Sequence, residues 1–437
     1  MIKVSLISLG CPKNLVDSEG LLKLLAEEGI DHDPDPANAD LLLINTCGFI
    51  ETAKRESIEE ILKLVETKGR RQLVVFGCLA KRYGDELKKE IPEIDVIFGV
   101  GEEDKIVAYC KEVAGMRDLG FGVGDRNTPV SSAKPSLLTP EPSSYGYLKI
   151  AEGCDRGCTY CVIPDIRGKF RSGNPESILK KAERLVASGR KELIIIAQDI
   201  TSFGRDIPGY GLGRLVKEIA SISGDFWVRL LYLYPTSITD ELIETVRSEE
   251  KVCKYLDIPL QHTESKILGL MKRGGGREYY RNLVTGLREA IPGVALRTTL
   301  ITGFPQEKEE DFEHMLGFVQ EMQFEHLGVF PYSREEGSAA YALKGQVPRH
   351  VREKRRDRIM EVQSGISLDK NKNLVGKMFR AVVDDIDGVE GIARIYSQAP
   401  EIDGVVFIKG PGVRKGEFVQ VRIDRAYDYD LQGTVVP

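Results

Sequence analysis

Short apolar runs alternate with amphipathic segments along the first hundred residues of the chain. Apolar runs of strand length occupy residues 4–9, 41–44, 73–76 and 95–100. Helical patterns lie between them at residues 18–28, 50–67 and 83–91. Alternation of this kind predicts a parallel sheet covered by helices.

A second alternating series begins near residue 145. Its strand candidates are residues 146–150, 193–197, 227–232, 255–258, 295–301 and 326–330. Helical patterns separate them, for example at 177–188 and 307–322, and a charged helix at 349–368 follows. Six strands predict a partial α/β barrel, since the common version has eight.

The pattern changes again towards the C-terminus. Short strands at 377–384, 391–396, 404–408 and 418–427 are separated by Gly- and Asp-rich turns. They predict a small antiparallel β-barrel, similar to an OB-fold. The sequence therefore predicts an N-terminal parallel α/β domain (1–125), a Pro- and Ser-rich linker (126–144), a partial (β/α)6 barrel (145–370) and a small β-barrel (371–437).

Composition narrows the class of protein only a little. The chain has 437 residues, of which 42% are hydrophobic and 29% charged, as in ordinary globular proteins. Its net charge of −6 argues against a protein held on nucleic acid by bulk charge. It has no apolar stretch long enough for a transmembrane helix and no evident targeting segment, so we expect a cytoplasmic protein with no membrane partner.

The strongest chemical signal is a cluster of three cysteines that follows the first strand of the second series. Cys154, Cys158 and Cys161 lie within eight residues, spaced C-x3-C-x2-C. This spacing fits neither a ferredoxin run nor the paired cysteines of a structural zinc site. A four-iron cluster held by three cysteines leaves one iron open for a small ligand, which suits catalysis. The alternative is three buried cysteines without a function.

Three further cysteines each follow a strand of the N-terminal series. Cys11, Cys47 and Cys78 each have a neighbouring glycine and then a helix. Because the carboxyl ends of parallel strands share one edge of a sheet, these thiols can converge into a second three-cysteine site. The alternative is that they are small buried residues at strand ends. Cys110 and Cys253 are interpreted as core residues.

The C-x3-C-x2-C motif with Tyr160 before its last cysteine, set in a six-stranded α/β pattern, resembles the radical S-adenosylmethionine enzymes. In that family the open iron chelates the amino and carboxylate groups of S-adenosylmethionine. Reductive cleavage then gives methionine and a 5′-deoxyadenosyl radical. The resemblance implies that Cys154, Cys158 and Cys161 bind the cluster and that Tyr160 lies near the adenine.

The whole chain resembles the methylthiotransferases within that superfamily, and the C-terminal barrel resembles their TRAM module. The matching segments are GCPKNLVDSE (10–19), INTCGFI (44–50), FGCLAKRY (76–83), AEGCDRGCTYCVIP (151–164), DIPLQHTESKILGLMKRG (257–274) and TGFPQEKEEDFE (302–313). One branch of the family modifies an adenosine in transfer RNA. Another methylthiolates the β-carbon of an aspartate in a small-subunit ribosomal protein.

Two segments and the charge of the barrel favour the ribosomal-protein branch. YSQAPEIDGVVF (396–407) resembles that branch, as does Gln198-Asp199 where the transfer-RNA enzymes tend to carry Gln-Asn. From residue 377 onward the chain has ten acidic and eight basic residues. An RNA-binding barrel should be basic, whereas an acidic one suits a basic protein target. The alternative is a solvated surface without a binding role.

The resemblance implies two 4Fe–4S clusters and two uses of S-adenosylmethionine, as radical source and as methyl donor. Cys11, Cys47 and Cys78 would hold the cluster that supplies the sulfur. Gln198, Asp199 and Gly303 are expected to contact S-adenosylmethionine, because active sites gather at barrel strand ends. The expected partners are the ribosomal protein, a flavodoxin- or ferredoxin-like electron donor and a sulfur donor. No catalytic acid or base is assigned. The alternatives are a transfer-RNA methylthiotransferase and a non-catalytic iron–sulfur electron carrier.

Overall fold

The computed structural model describes residues 2–118 and 143–436. Almost all of the predicted linker at 126–144 lies outside the described residues, so the linker stays a prediction. The chain divides into two compact units. The first combines the N-terminal region with Val162–Lys169, and the second combines Pro142–Cys161 with Phe170–Pro437.

The first unit contains a parallel sheet covered by helices, which confirms the predicted architecture. Its strands are β1 (Lys3–Ser8), β2 (Asp31–His32), β3 (Leu41–Thr46), β4 (Gln72–Gly77) and β5 (Val96–Phe98). Its helices are α1 (Pro12–Glu27), α2 (Glu51–Thr67), α3 (Cys78–Glu90), α4 (Glu103–Asp118) and α5 (Ile163–Arg167). The strand order is β2-β1-β3-β4-β5. Every residue of β3 is buried, as expected for a central strand covered on both faces.

The second unit begins with a six-stranded parallel sheet, which confirms the partial barrel. The strands of this part of the chain, including a separate pair, are β6 (Tyr145–Lys149), β7 (Ala151–Glu152), β8 (Arg171–Ser172), β9 (Glu192–Ile196), β10 (Trp227–Leu230), β11 (Val252–Asp257), β12 (Ala295–Thr302) and β13 (His326–Pro331). Its helices are α6 (Pro175–Ala187), α7 (Leu212–Ala220), α8 (Asp240–Ser248), α9 (Ser265–Leu270), α10 (Arg277–Ala290), α11 (Glu309–Met322) and α12 (Arg349–Lys372). The sheet has the order β13-β12-β11-β10-β9-β6, and β7 and β8 form a separate antiparallel pair.

The C-terminal region forms a closed five-stranded barrel. Its strands are β14 (Met378–Asp387), β15 (Glu390–Ile395), β16 (Val406–Lys409), β17 (Phe418–Ala426) and β18 (Leu431–Val436). The order β14-β15-β16-β18-β17 is antiparallel except where β16 and β18 run parallel. The hydrophobic pattern predicted four of these strands and missed β18, whose sequence LQGTVV has Gln, Gly and Thr between its apolar ends. No helix within the described residues is both long and apolar enough to cross a lipid bilayer.

The C-terminal barrel packs against the amino ends of the central strands. Glu192, at the start of β9, accepts a hydrogen bond from Arg229 of β10 and one of 2.5 Å from Arg394 of β15. All three side chains are buried. Tyr255 of β11 donates to the carboxylate of Asp403 at 2.7 Å. Since these contacts occupy the amino ends, the carboxyl ends of the strands are left for the cysteines.

Candidate functional site

The first unit brings Cys11, Cys47 and Cys78 together at the carboxyl edge of its sheet. They follow β1, β3 and β4, which are neighbours in the strand order, and each of these strands ends within three residues of its cysteine. All three have free thiols, and Cys47 and Cys78 are buried. Burial raises the pKa of the Cys47 thiol to about 12, and the nearby thiols of Cys11 and Cys78 contribute to the rise.

Glycines beside these cysteines allow the strand-end loops to approach one another. Gly10 has φ +91°, and a Cβ placed there would lie 2.6 Å from Cys47 Cβ and 2.8 Å from its Sγ. Gly77 has φ +99°, and a Cβ there would lie 2.2 Å from Asn45 Oδ1. Only glycine combines a positive φ with so close an approach of neighbouring atoms. The glycines noticed in the sequence therefore have a steric role in bringing the cysteines together.

Asn14, on the first turn of α1, connects the three cysteine loops. Its Nδ2 donates to the carbonyls of Leu9 at 3.0 Å and Thr46 at 3.2 Å, which precede Cys11 and Cys47. Its Oδ1 lies 3.6 Å from Cys78 Sγ. No pattern in the sequence had pointed to Asn14. Its position two residues after Pro12, where the helix begins at the edge of the sheet, is the signal that could have identified it.

In the second unit, Cys154, Cys158 and Cys161 lie on one loop that follows β7. All three thiols are half-buried. Thr159 anchors the loop, since its backbone N–H donates to Met271 O at 3.1 Å and its hydroxyl to Leu270 O at 2.7 Å. Burial raises the pKa of the Cys154 thiol, and the neighbouring Cys158 adds to the rise.

Arg273 lies against this loop, although no pattern in the sequence had pointed to it. Its Nη1 lies 3.7 Å from Cys158 Sγ and 3.3 Å from Tyr160 Oη, while its Nη2 donates to Pro259 O at 2.6 Å. Burial alone would lower the pKa of Arg273, but Tyr160 and Cys158 hold the pKa above its ordinary value. Burial also raises the pKa of Tyr160, so this phenol is neutral and can act as a hydrogen-bond donor.

Gln198 and Asp199 follow β9 at the carboxyl edge of the central sheet. Gln198 Nε2 lies 3.4 Å from Glu152 Oε1, and its buried Oε1 has no hydrogen-bond partner among the described residues. Asp199 Oδ2 accepts hydrogen bonds from Arg156 Nε at 2.5 Å and Ser202 Oγ at 2.8 Å. Asp199 therefore orients Arg156, whereas the amide of Gln198 has an acceptor oxygen to offer a ligand.

Gly303, directly after β12, lies against helix α12. It has φ +71°, and a Cβ there would lie 2.0 Å from Arg352 Cγ. Its backbone N–H donates to Glu307 Oε2 at 2.8 Å. The close approach of Arg352 is thus one reason for glycine at this position.

Each of the two sets offers three cysteine sulfurs as ligands. Within residues 2–118 and 143–436, no three His, Cys, Asp or Glu side chains surround a point where one ion could be held. A tetrahedral zinc site needs its sulfurs about 2.3 Å from one atom. Cysteine thiolates are the ligands that hold iron–sulfur clusters, so the donor set of each site fits such a group. In the central site, the unsatisfied Gln198 Oε1 fits a polar ligand bound beside such a group.

In the structure, the acidic excess on the surface of the C-terminal barrel is smaller than the residue count indicates. Asp384 and Arg394 form an ion pair of 2.6 Å, and the Asp403 side chain is only 2% exposed. Leaving out these two acidic residues and one basic residue reduces the acidic excess of the barrel surface from two to one. Apolar side chains are also exposed there: Ile392 on β15 and Phe407 on β16 are directly paired and 37% and 45% exposed.

Three families match consecutive regions of the chain. Residues 3–99 match the family described as uncharacterized protein family UPF0004. Residues 148–319 match the radical SAM superfamily, and residues 375–436 match the TRAM domain.

Curated relatives match the chain over its full length. The ribosomal protein uS12 methylthiotransferase RimO of Thermodesulfovibrio yellowstonii is 51% identical and covers 100% of both chains. Those of Geobacter sulfurreducens and Acetivibrio thermocellus are each 45% identical over 99% of this chain and 98% of the relative.

Solved structures share the fold at low sequence identity. The radical S-adenosylmethionine methyltransferase TsrM from Kitasatospora setae, solved with cobalamin and a [4Fe–4S] cluster, has a TM-score of 0.55 at 14% identity, covering 76% of this chain and 75% of TsrM. The cobalamin-dependent S-adenosylmethionine radical enzyme OxsB has a TM-score of 0.51 at 11% identity, covering 84% and 56%.

Proposed function

This chain belongs to the ribosomal protein uS12 methylthiotransferases, and we propose that it adds a methylthio group to the β-carbon of an aspartate in that protein. Full-length identity of 51% to one such enzyme supports the assignment. The structural observation that carries the proposal is the presence of two sets of three cysteines, each within one unit. The transfer-RNA alternative is not favoured, because the full-length relatives are named for a ribosomal protein.

In the central site, Cys154, Cys158 and Cys161 would bind a 4Fe–4S cluster. A cluster of this kind, with S-adenosylmethionine on its open iron, supplies reductive cleavage of that cofactor and radical abstraction of a hydrogen from an unactivated carbon. The chain contributes a half-buried loop that holds the three thiols and limits access of water to them.

The residues around this loop would hold S-adenosylmethionine. Tyr160 would lie against the adenine, with its hydroxyl oriented by Arg273 at 3.3 Å. Gln198 Oε1 would accept a hydrogen bond from the cofactor, since it is buried and has no partner in the described part of the chain. At Gly303, the absence of a side chain would let the backbone lie close to the cofactor. Asp199 would act through Arg156, which it holds at 2.5 Å.

In the first unit, Cys11, Cys47 and Cys78 would bind a second 4Fe–4S cluster that presents the sulfur to be inserted. Asn14 would keep the three loops in register through its hydrogen bonds. The methyl group would come from a second S-adenosylmethionine. A flavodoxin- or ferredoxin-like protein would supply electrons, and an external sulfur donor would replace the sulfur consumed.

The C-terminal barrel would bind the ribosomal protein. Its exposed Ile392 and Phe407 lie opposite each other on β15 and β16, so they form one apolar contact surface. Replacing Phe407 by Ala should raise the KM for the ribosomal protein and leave cleavage of S-adenosylmethionine in its absence unchanged.

Anaerobic turnover tests the proposal directly. Reconstituted protein should bind about eight irons per chain and transfer one methylthio group to uS12, detected by mass spectrometry. Cys154→Ala should bind about four irons and cleave no S-adenosylmethionine. Cys47→Ala should also bind about four irons but still cleave it, without forming product. Cys110→Ala, which removes a buried thiol outside both sets, is the matched control and should behave as the parent. Modification of transfer RNA instead of uS12 would contradict the proposed substrate.

A further inference from the structure

Arg167 is a buried arginine beside the N-terminal cysteines. It ends helix α5, inside the segment Val162–Lys169 that belongs to the first unit. Its side chain is only 2% exposed. A buried guanidinium costs free energy unless its donors are satisfied, so polar groups are expected around it.

The guanidinium contacts three different groups of the cysteine site. Its Nη1 lies 3.0 Å from Asp17 Oδ2, and its Nη2 donates to Asn14 Oδ1 at 2.6 Å. The same Nη2 lies 3.7 Å from Cys78 Sγ. Asp17 and Asn14 are three residues apart on α1 and so lie on one face of that helix. Asp17 therefore orients the guanidinium while leaving Nη2 to face the amide and the sulfur.

Arg167 also decides how the amide of Asn14 is oriented. Because Nη2 can only donate, it fixes Oδ1 towards itself, and the Nδ2 of Asn14 then points at the carbonyls of Leu9 and Thr46. The arrangement that holds the cysteine loops thus depends on Arg167 as well as on Asn14.

Apolar side chains also pack against Cys78. Val162 and Ile166, from the same segment as Arg167, pack with Cys78 in a buried cluster joined by Val100. A positive charge acts more strongly in such surroundings than in water, because the local dielectric constant is lower.

We propose that Arg167 is a positioning residue that tunes the redox potential of the N-terminal cluster, by donating from Nη2 to the cluster-bound sulfur of Cys78. The inference rests on the proposed binding of a cluster by Cys11, Cys47 and Cys78. Reduction adds one electron, taken from an external reductant, and so adds negative charge beside the guanidinium. Hydrogen bonds to ligand sulfurs and nearby positive charge favour the reduced state.

The test uses full-length protein in which Cys154, Cys158 and Cys161 are all replaced by Ala, so that only the N-terminal cluster can form. The midpoint potential is measured by titration with dithionite, followed by electron paramagnetic resonance. In this background Arg167→Gln should shift the potential to more negative values. Arg167→Lys keeps the charge but loses the planar guanidinium, and should give a smaller shift in the same direction.

Arg71→Gln is the matched control. Arg71 is also buried in the same unit, but its partners are backbone carbonyls such as Pro36 O at 2.6 Å and Lys68 O at 2.9 Å. Its substitution should leave the potential unchanged, which separates a local effect from a general loosening of the fold.

An unchanged potential in Arg167→Gln, with iron still bound, would overturn the inference and leave the proposed function standing. If Arg167→Gln binds no iron, Arg167→Lys decides the question, and a potential equal to that of the parent overturns the inference. If the background protein itself binds no iron, the proposed N-terminal cluster fails and the inference fails with it.

Discussion

Replacement of Gly10 by Ala tests whether close packing of the strand-end loops is what assembles the N-terminal cysteines. The new Cβ would lie 2.6 Å from Cys47 Cβ, whereas nonbonded carbons prefer about 3.5–4.0 Å. Cys47 or the loop of residue 10 must therefore move by about 1 Å. The φ of +91° at this position adds about 1–2 kcal/mol of backbone strain for any residue with a Cβ.

A displacement of about 1 Å exceeds the tolerance of about 0.5 Å within which a functional site must hold its groups. We therefore expect Gly10→Ala to lose the N-terminal cluster and keep the central one. After anaerobic reconstitution the variant should bind about four irons per chain instead of about eight. It should still cleave S-adenosylmethionine but transfer no methylthio group to uS12.

Gly20→Ala is the matched control, because Gly20 lies on α1 and a Cβ there meets no atom within 4 Å. This variant should keep the iron content and activity of the parent, and gain up to about 1 kcal/mol from better helix propensity. Parental iron content and product yield in Gly10→Ala would refute the reasoning, since the cysteines would then tolerate the added carbon.

Three further predictions concern the junction between the central sheet and the C-terminal barrel. Glu192→Gln should lower the free energy of unfolding by about 3–5 kcal/mol, measured with urea, because it leaves Arg229 and Arg394 buried without their shared carboxylate. The two arginines hold the pKa of Glu192 below its ordinary value despite burial. The ionised carboxylate therefore contributes fully to stability above the unfolded pKa of about 4.3. This contribution is lost as the pH falls through the lower pKa of the folded state. The difference in unfolding free energy between parent and Glu192→Gln should accordingly shrink in acid, and a constant difference would contradict this origin. Asp403→Asn should speed amide hydrogen exchange in β14–β18 without changing exchange in β1–β5. The reason is that Asp403 accepts a hydrogen bond from Tyr255 and lies 3.4 Å from Arg297. Equal exchange in parent and variant would show that Asp403 does not hold the barrel.

The segment at 396–407 shows how a sequence resemblance and a structural role can differ. Its sequence indicated the ribosomal-protein branch of the family. In the structure, Tyr396 O accepts from Arg229 at 2.7 Å and Ser397 O lies 2.6 Å from His326 Nε2, so this part of the segment holds the barrel to the central strands. Phe407, at the end of the segment, lies on the exposed surface that we propose for the target. Charge counting could not separate the two roles, because it treats buried and exposed carboxylates alike.

The sequence by itself determined the three-part architecture and the two sets of cysteines. The hydrophobic pattern of each segment and the geometry of parallel sheets were sufficient to predict that Cys11, Cys47 and Cys78 lie at one edge of the N-terminal sheet. Only the tertiary structure decided which residues surround the sulfurs, since Arg167 is 89 residues from Cys78 in the chain and Arg273 is 115 residues from Cys158. No periodicity relates such pairs. Their contacts exist because the folded sheets and helices bring distant side chains into the same dry space, where a single guanidinium can act strongly on a sulfur.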